Sequence, residues 1–515
     1  MKSGVVYLVG AGPGDPKLIT IRGKEAIERA DVIVYDRLAS PRLLKFRKPT
    51  AELIFVGKHP DKHVLHQTEI NQLLVDLALQ GKTVTRLKGG DPSVFGRVGE
   101  EAELLADHQI SYEIIPGISS AIAAPIYAGI PVTHRDYTSS LAIITGHEYP
   151  NKTYSSLEWE HLAQAVGTMI FLMGVANIEQ IAIELIRHGK PKDMPVALIR
   201  WGTTVEQQTL TGTLEDIASK VKAHHFKPPA VIIVGEVVRL REKLAWIEKK
   251  PLFGKRILVT RARSQSSELV ELIDDQGGEA IEFPVIAIQP ISDPQAIQRL
   301  DHAISMIAEF DWCVFTSVNA VDYFFRRLHV LQVDIRRMSK ARIVAIGPKT
   351  YEALYSRGLI PEKVPAVFQS EGILDVLAEH VQPGERVLWP KANLARGLLS
   401  QQLVAKGLDV CEVDVYENIL QLDDDEGAVE RLTRHQIDIV TFTSSSTVTN
   451  LIEALQLCHV SDPIEVLSQV EIACIGPKTD ETLRKYGLTA TYIAKEATVV
   501  SLVEAIANHP TRSSS

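Results

Sequence analysis

Cysteine is scarce in this 515-residue chain, with only Cys313, Cys411, Cys458 and Cys474. None belongs to a C-x-x-C pair, so neither a zinc knuckle nor a dithiol redox centre is offered. Three of the four fall in strand-like apolar runs, where cysteine is a small buried residue. A reducing, cytoplasmic setting follows. Unbroken hydrophobic runs are also missing. The most apolar stretch, Ile114 to Val132, is interrupted by Pro116, Pro125 and Pro131, whereas a membrane span needs roughly 20 continuous apolar residues. No leader is read, because Met1–Gly4 runs straight into the strand-like Val5–Val9. The net charge is −9, which suits nucleic acid poorly, since that partner usually wants a basic stripe. Neither H-E-x-x-H nor G-x-S-x-G occurs.

What remains is an enzyme-like composition, 45% hydrophobic and 23% charged, on a chain long enough for two to four domains. Charge is unevenly divided. Residues 1–245 carry a net +1 and the remainder −10, while the first hundred alone reach +5. A locally basic edge on an acidic protein suits a small anionic ligand.

Apolar periodicity in the first half alternates: strand Val5–Val9, helix Ile19–Ala30, strand Val32–Tyr35, helix Gln67–Gln80, strand Thr83–Leu87. That order predicts a parallel α/β sheet. After a join near Pro116–Gly117, a second lobe shows strands at Leu141–Thr145, Thr168–Met173, Val196–Arg200 and Ala230–Val234. A charged stretch, Val238–Lys250, reads as a helix that ends in a linker at 247–253.

The second half contains a repeat. Arg342-Ile-Val-Ala-Ile-Gly-Pro-Lys-Thr350 returns as Glu471-Ile-Ala-Cys-Ile-Gly-Pro-Lys-Thr479, and Phe315-Thr-Ser317 returns as Phe442-Thr-Ser444. Lys255-Arg-Ile-Leu-Val has a weaker echo in Glu385-Arg-Val-Leu-Trp. All three pairs lie about 130 residues apart, the size of a small domain. Two similar α/β lobes are therefore expected, with an unstructured tail at 509–515.

Four loops carry candidate chemistry. Gly10-Ala-Gly-Pro-Gly-Asp15 follows a buried strand, and Asp36 ends the next strand about 20 residues on. This pattern admits a nicotinamide-dependent oxidoreductase as an alternative, with the second half a non-catalytic ligand-binding module. Against that, Asp15 stands where the third glycine belongs, and Pro13 has no N–H to offer a phosphate. Arg86-Leu-Lys-Gly-Gly-Asp-Pro-Ser-Val-Phe-Gly-Arg97 follows a strand, and Asp91 there also reads as a helix cap. Pro116-Gly-Ile-Ser-Ser120 opens a helix of small residues. Gly129-Ile-Pro-Val-Thr-His-Arg-Asp136 ends in polar groups fit to line a cleft.

Together with Val34-Tyr-Asp-Arg-Leu38 and Val56-Gly-Lys58, these loops resemble uroporphyrinogen-III C-methyltransferase from about Val5 to Trp246. The resemblance implies lobes of about 1–116 and 117–246, S-adenosyl-L-methionine as cofactor and a homodimer through this half. Cofactor contacts map onto Pro13, Gly89, Gly90, Asp91, Val94, Ser119, Ser120, Met173 and Gly202. An acid–base pair maps onto Asp36 and Lys58. Arg37, Lys58, His59, His63, Arg97, His134 and Arg135 become candidates for the carboxylates of the tetrapyrrole substrate. No metal is needed, because the sulfonium methyl is already electrophilic and the site must align the reactants and manage a proton.

The second half, about Gly254 to Asn508, resembles uroporphyrinogen-III synthase, in Ile257-Leu-Val-Thr-Arg-Ala262, the repeated loops and Val413-Asp-Val-Tyr-Glu417. The resemblance implies closure of hydroxymethylbilane with inversion of its last ring. Tyr416 would be the residue assisting loss of water, with Ser317, Thr350, Ser444 and Thr479 near the substrate. It further implies one lobe of 254–283 with 418–508 and an inserted lobe of 284–417. The synthase product is the methyltransferase substrate, so each resemblance supports the other, and two methylations would yield precorrin-2, a precursor of sirohaem and cobalamin.

Overall fold

A computed structural model describes residues 4–57, 66–146, 157–362, 374, 377, 380–393, 398–424 and 426–508. Lys58, His59, His63 and the 509–515 tail lie outside the described residues. Among the described residues, twenty strands fall into four five-stranded sheets.

The first sheet contains β1 (Val5–Gly10), β2 (Val32–Tyr35), β3 (Glu52–Phe55), β4 (Thr83–Lys88) and β5 (Ser111–Ile115), in the order β3-β2-β4-β1-β5. Every pairing is parallel, as the alternation of strand and helix predicts. Apolar clusters around Leu8, Val34 and Leu74 on one face, and Val9, Ile33 and Leu87 on the other, bury the sheet on both sides. The chain leaves β1 for β2 and β3, then returns to insert β4 between β2 and β1. The loops after β1 and β4 therefore lie side by side at the C-terminal edge, where open parallel sheets bind ligands.

The second sheet contains β6 (Leu141–Thr145), β7 (Thr168–Leu172), β8 (Pro195–Arg200), β9 (Gln208–Thr213) and β10 (Ala230–Val234), ordered β6-β7-β10-β8-β9. Only β6–β7 is parallel; the other three pairings are antiparallel.

The expected long helix at Val238–Lys250 is instead broken. A short helix, Arg241–Leu244, is flanked by single turns at Glu236–Leu240 and Ile247–Lys249. Side-chain bonding to the first half overrides helix continuation. The Arg241 guanidinium donates to Ala128 O and to Glu248, and Glu248 also accepts from Gln207 and Thr209.

In the second half, β11 (Arg256–Val259) and β12 (Glu279–Glu282) join β18 (Ile439–Phe442), β19 (Glu471–Cys474) and β20 (Tyr492–Ile493) in an all-parallel sheet ordered β12-β11-β18-β19-β20. The segment between them forms the fourth sheet: β13 (Ile286–Pro290), β14 (Trp312–Phe315), β15 (Arg342–Ala345), β16 (Arg386–Ala392) and β17 (Asp409–Leu420), ordered β13-β17-β16-β14-β15. The repeat occupies matching places. β11, β18 and β19 stand side by side in one sheet as β16, β14 and β15 do in the other, although their order along the chain differs. β13 departs from the parallel pattern by pairing antiparallel to β17.

The two halves touch through charge. Arg42 Nη2 lies 3.0 and 3.2 Å from the carboxylate oxygens of Asp274, both side chains being 12% exposed. Lys17 is 3.7 Å from Asp274 and Asp275, and Lys45 is 3.8 Å from Glu282. Part of the basic surplus in the first hundred residues therefore faces the acidic second half. No helix among the described residues is long and apolar enough to cross a membrane.

Candidate functional site: the inter-lobe cleft and the synthase-like loops

The glycine loops after β1 and β4 hydrogen-bond to each other: Gly90 N donates to Gly12 O at 2.7 Å and Gly12 N to Gly90 O at 3.2 Å. Their approach depends on small residues. A Cβ on Gly10 would lie 2.5 Å from Gly117 N and 2.8 Å from Gly90 O. These loops floor a cavity of about 830 Å³, within the usual range for small-ligand sites. Its far wall comes from the second lobe, through Leu172, Met173 and Trp201–Thr204, and the cavity continues between the halves to Arg256, Asp274 and Glu279.

Backbone strain gathers here. Phe95, Met173, Trp201 and Thr203 have φ of 54°, 59°, 48° and 72°, and all four line the cavity. A left-handed non-glycine residue costs on the order of 1–3 kcal/mol and persists where the surroundings impose it, commonly at functional sites. The lobes are also latched together: Asp15 N donates to Thr203 Oγ1 at 3.1 Å, and Tyr127 Oη donates to Asp15 Oδ2 at 2.9 Å. Burial, with Asp15 alongside, pushes the Tyr127 phenol well above its ordinary value, so it stays a donor.

Of the residues proposed from sequence for the first half, Pro13, Asp36, Arg37, Gly89, Gly90, Val94, Ser120, Met173 and Gly202 line this one cavity. Asp36 Oδ1 accepts from Leu38 N at 3.0 Å and Oδ2 from Arg86 Nη2 at 3.1 Å, with the side chain 25% exposed. The Arg37 guanidinium lies 5.9 Å from the Trp201 ring centroid.

Others are placed differently. Asp91 does not line the cavity; its carboxylate accepts from Ser93 N, Ser93 Oγ and Gly117 N, bracing the loop. Ser119 is buried as a helix cap, accepting from Ala121 N at 3.2 Å. Arg97 is bound to Glu100 at 2.6 Å on the surface. His134 and Arg135 sit in a surface loop away from the cavity lining. Sequence reasoning missed Tyr127, Thr203, Gln67 and Lys88, of which Lys88 offered a signal, as a cation in a strand otherwise buried.

In the second half, Ser317 follows β14 and caps the helix Val318–Val330 through Ala320 N at 3.0 Å. Its Oγ lies 3.3 Å from Tyr416 Oη, and Tyr416 stacks on Tyr323 with centroids 5.8 Å apart. Ser444 occupies the matching position after β18, capping Ser445–Leu457 through Thr447 N at 3.2 Å. Thr350 and Thr479, expected near substrate, are buried at 4% and 3% exposure. Each is the third residue of a helix that begins with proline, and its side chain is buried there. All four cysteines are free, and burial raises each thiol above its ordinary value. Among the described residues no cluster of His, Cys, Asp or Glu is placed to hold a metal.

Two α/β enzyme modules, each with ligand loops at strand ends, are therefore carried on one chain. The Tetrapyrrole (Corrin/Porphyrin) Methylases family model matches residues 5–218, and Uroporphyrinogen-III synthase HemD matches residues 267–504. The chain is 41% identical over 505 residues to the porphyrin biosynthesis protein HemD of Ruminiclostridium josui, spanning 98% of both. It is 47% identical over 360 residues to the uroporphyrinogen-III C-methyltransferase of Bacillus subtilis (strain 168), covering 70% of this chain and 73% of that one. A solved structure of uroporphyrin-III C-methyl transferase from Thermus thermophilus, complexed with S-adenyl homocysteine, is 37% identical. It aligns with 46% of this chain and all of that one, with a TM-score of 0.40. The chain belongs to the tetrapyrrole methylases in its first half and to the uroporphyrinogen-III synthases in its second. It is a bifunctional enzyme of tetrapyrrole biosynthesis, and the nicotinamide alternative finds no support.

Proposed function

We propose that the second half closes hydroxymethylbilane to uroporphyrinogen III and that the first half methylates this product twice, giving precorrin-2. The observation that carries the reading is the single cavity lined together by eight of the proposed cofactor and acid–base residues and by Arg37, proposed for substrate. Its glycine floor allows close backbone approach to an extended adenosyl-methionine moiety, and its volume is sufficient. When bound, S-adenosyl-L-methionine supplies an electrophilic methyl. A carbon–carbon bond forms at the pyrrole carbon as the sulfonium carbon–sulfur bond breaks. Asp36, held between Leu38 N and Arg86, accepts the proton that the tetrapyrrole then loses. Arg37 receives substrate carboxylates at the cavity mouth. By the same family resemblance, the chain acts as a cytoplasmic homodimer through its first half. Incubating the full chain with hydroxymethylbilane and S-adenosyl-L-methionine tests the scheme: the product mass should equal that of uroporphyrinogen III plus two methyl groups.

In the synthase half, Tyr416 Oη donates to the departing hydroxyl, with Ser317 completing the polar wall. The ring-closing cation forms readily, so the enzyme mainly positions the chain and excludes the uninverted ring. Tyr416→Phe keeps the stack on Tyr323 and removes only the hydroxyl. Ring closure should slow by about 10-fold or more, with a larger share of uninverted isomer by chromatography. An unchanged rate and isomer ratio would remove Tyr416 from the chemistry.

The boundary between the halves falls after Lys250. Trp246 belongs with the first half, its indole N–H donating to Ile126 O at 3.1 Å, whereas Leu252 is buried in the core around Ile257 and Leu502. A chain cut there should yield two soluble fragments, each performing one step. Ion pairs such as Arg42–Asp274 and Lys45–Glu282 join the halves, so association of the fragments should weaken as salt is raised to about 0.5 M. Fragments that aggregate or lose activity would show that the halves share an essential core.

A further inference from the structure

β4 lies in the middle of its sheet, a position that ordinarily takes apolar residues on both faces. It nevertheless places Arg86 and Lys88 on the same face, at 4% and 5% exposure. Their counter-charge comes from the helix Val98–Asp107. Glu101, fully buried, accepts from Lys88 Nζ at 2.7 Å and lies 3.6 Å from Arg86 Nε. Gln67 Nε2 donates to the same carboxylate at 3.1 Å. Arg86 Nη1 donates to Leu87 O at 2.8 Å, and Nη2 reaches Asp36 at 3.1 Å. Two cations and two carboxylates thus form a neutral chain, Lys88–Glu101–Arg86–Asp36, running from the helix–sheet layer to the cavity wall. The nearby Arg97–Glu100 pair is exposed.

Burying three charges, with Asp36 at the more exposed end, is unfavourable beside an apolar alternative of similar volume, and packing alone gives no reason for it. We propose that Glu101 is a positioning residue for methyl transfer: it anchors Arg86 against Asp36 and, balanced by Lys88, sets the charge that Asp36 experiences. This rests on Asp36 as the proton acceptor. Burial pushes the Lys88 ammonium below its ordinary value, Glu101 opposes that, and Arg86 adds to it, so removing Glu101 disturbs both cations.

The test follows kcat for methylation of uroporphyrinogen III against pH in the full-length chain, for Glu101→Gln, Lys88→Met and the double variant. Glu101→Gln leaves surplus positive charge beside Asp36, weakening it as a base. Its kcat should fall about 10-fold or more with little change in KM for S-adenosyl-L-methionine. The acid limb of the profile should move to lower pH by about half a unit or more. Lys88→Met leaves surplus negative charge and should move that limb the other way. The double variant restores neutrality, so its limb should return toward the parent position and part of the lost kcat should be recovered. Unmoved limbs, or a double variant worse than either single one, overturn the proposal. If Glu101→Gln fails to fold, Lys88→Met and the double variant decide by the same criterion. Asp36→Asn separates the two readings. Retained turnover there removes the proton acceptor and this proposal with it, whereas lost turnover beside unmoved limbs removes the positioning role alone.

Discussion

Asp36→Asn should lower methyl transfer by roughly 10²-fold or more while leaving S-adenosyl-L-methionine binding nearly unchanged. The substitution preserves size but removes charge and basicity. Both carboxylate oxygens are engaged, one by Leu38 N and the other by Arg86 Nη2. Asparagine can satisfy one of these donors with its carbonyl and must turn its NH₂ toward the other. The change therefore disturbs a local bond as well as the proton acceptor, and Asp36→Glu is the control that retains the charge. Steady-state methylation and calorimetric cofactor binding, measured on the same preparations, distinguish the effects. Unaltered turnover would make Asp36 a structural residue.

Gly90→Val should abolish measurable cofactor binding in a chain that still folds. The reason lies more in the backbone than in crowding. Gly90 has φ +70°, while its Cβ position meets only ordinary contacts, 3.6 Å to Ser120 N. A β-branched residue is a poor occupant of that conformation, so the loop shifts and the paired bonds between Gly12 and Gly90 are lost. Gly90→Ala isolates the conformational cost, about 1–2 kcal/mol, and should weaken binding by roughly 5- to 30-fold. If valine binds as tightly as glycine, this loop is a turn and the cofactor lies elsewhere.

Much of the fold was legible because its signals are local. β1, β2 and β4 announce themselves as apolar runs, and the repeated Gly-Pro-Lys-Thr loops mark matching places in two sheets. β3, β5 and β9 were not recognised. Each is an edge strand, with half or more of its side chains in contact with water, which erases the apolar pattern. The cavity was legible as a set of loops, but the direction of single side chains was not. Asp91 and Ser119 could serve a ligand or the backbone, and the backbone takes both. Thr350 and Thr479 pack inward because of where they fall on their helices. The use of Lys17, Arg42 and Lys45 against the second half, like the partnership of Glu101 with Arg86 and Lys88, depends on residues distant along the chain, and no local pattern encodes it.

The interleaved path of the second half has a consequence during synthesis on the ribosome. β13 to β17 are contiguous in sequence and can assemble as they emerge. β11 cannot complete its sheet, because its neighbour β18 is made much later: Thr260 Oγ1 donates to Thr441 O across 181 residues, and Thr441 Oγ1 returns a bond to Leu258 O. At about 5–20 residues per second, β11 waits about 10–35 s with one edge unpaired. An open parallel edge is a template for wrong pairing. A chain interrupted between β17 and β18 would therefore leave one lobe closed and the other exposed to aggregation, while the methylase half upstream is already complete.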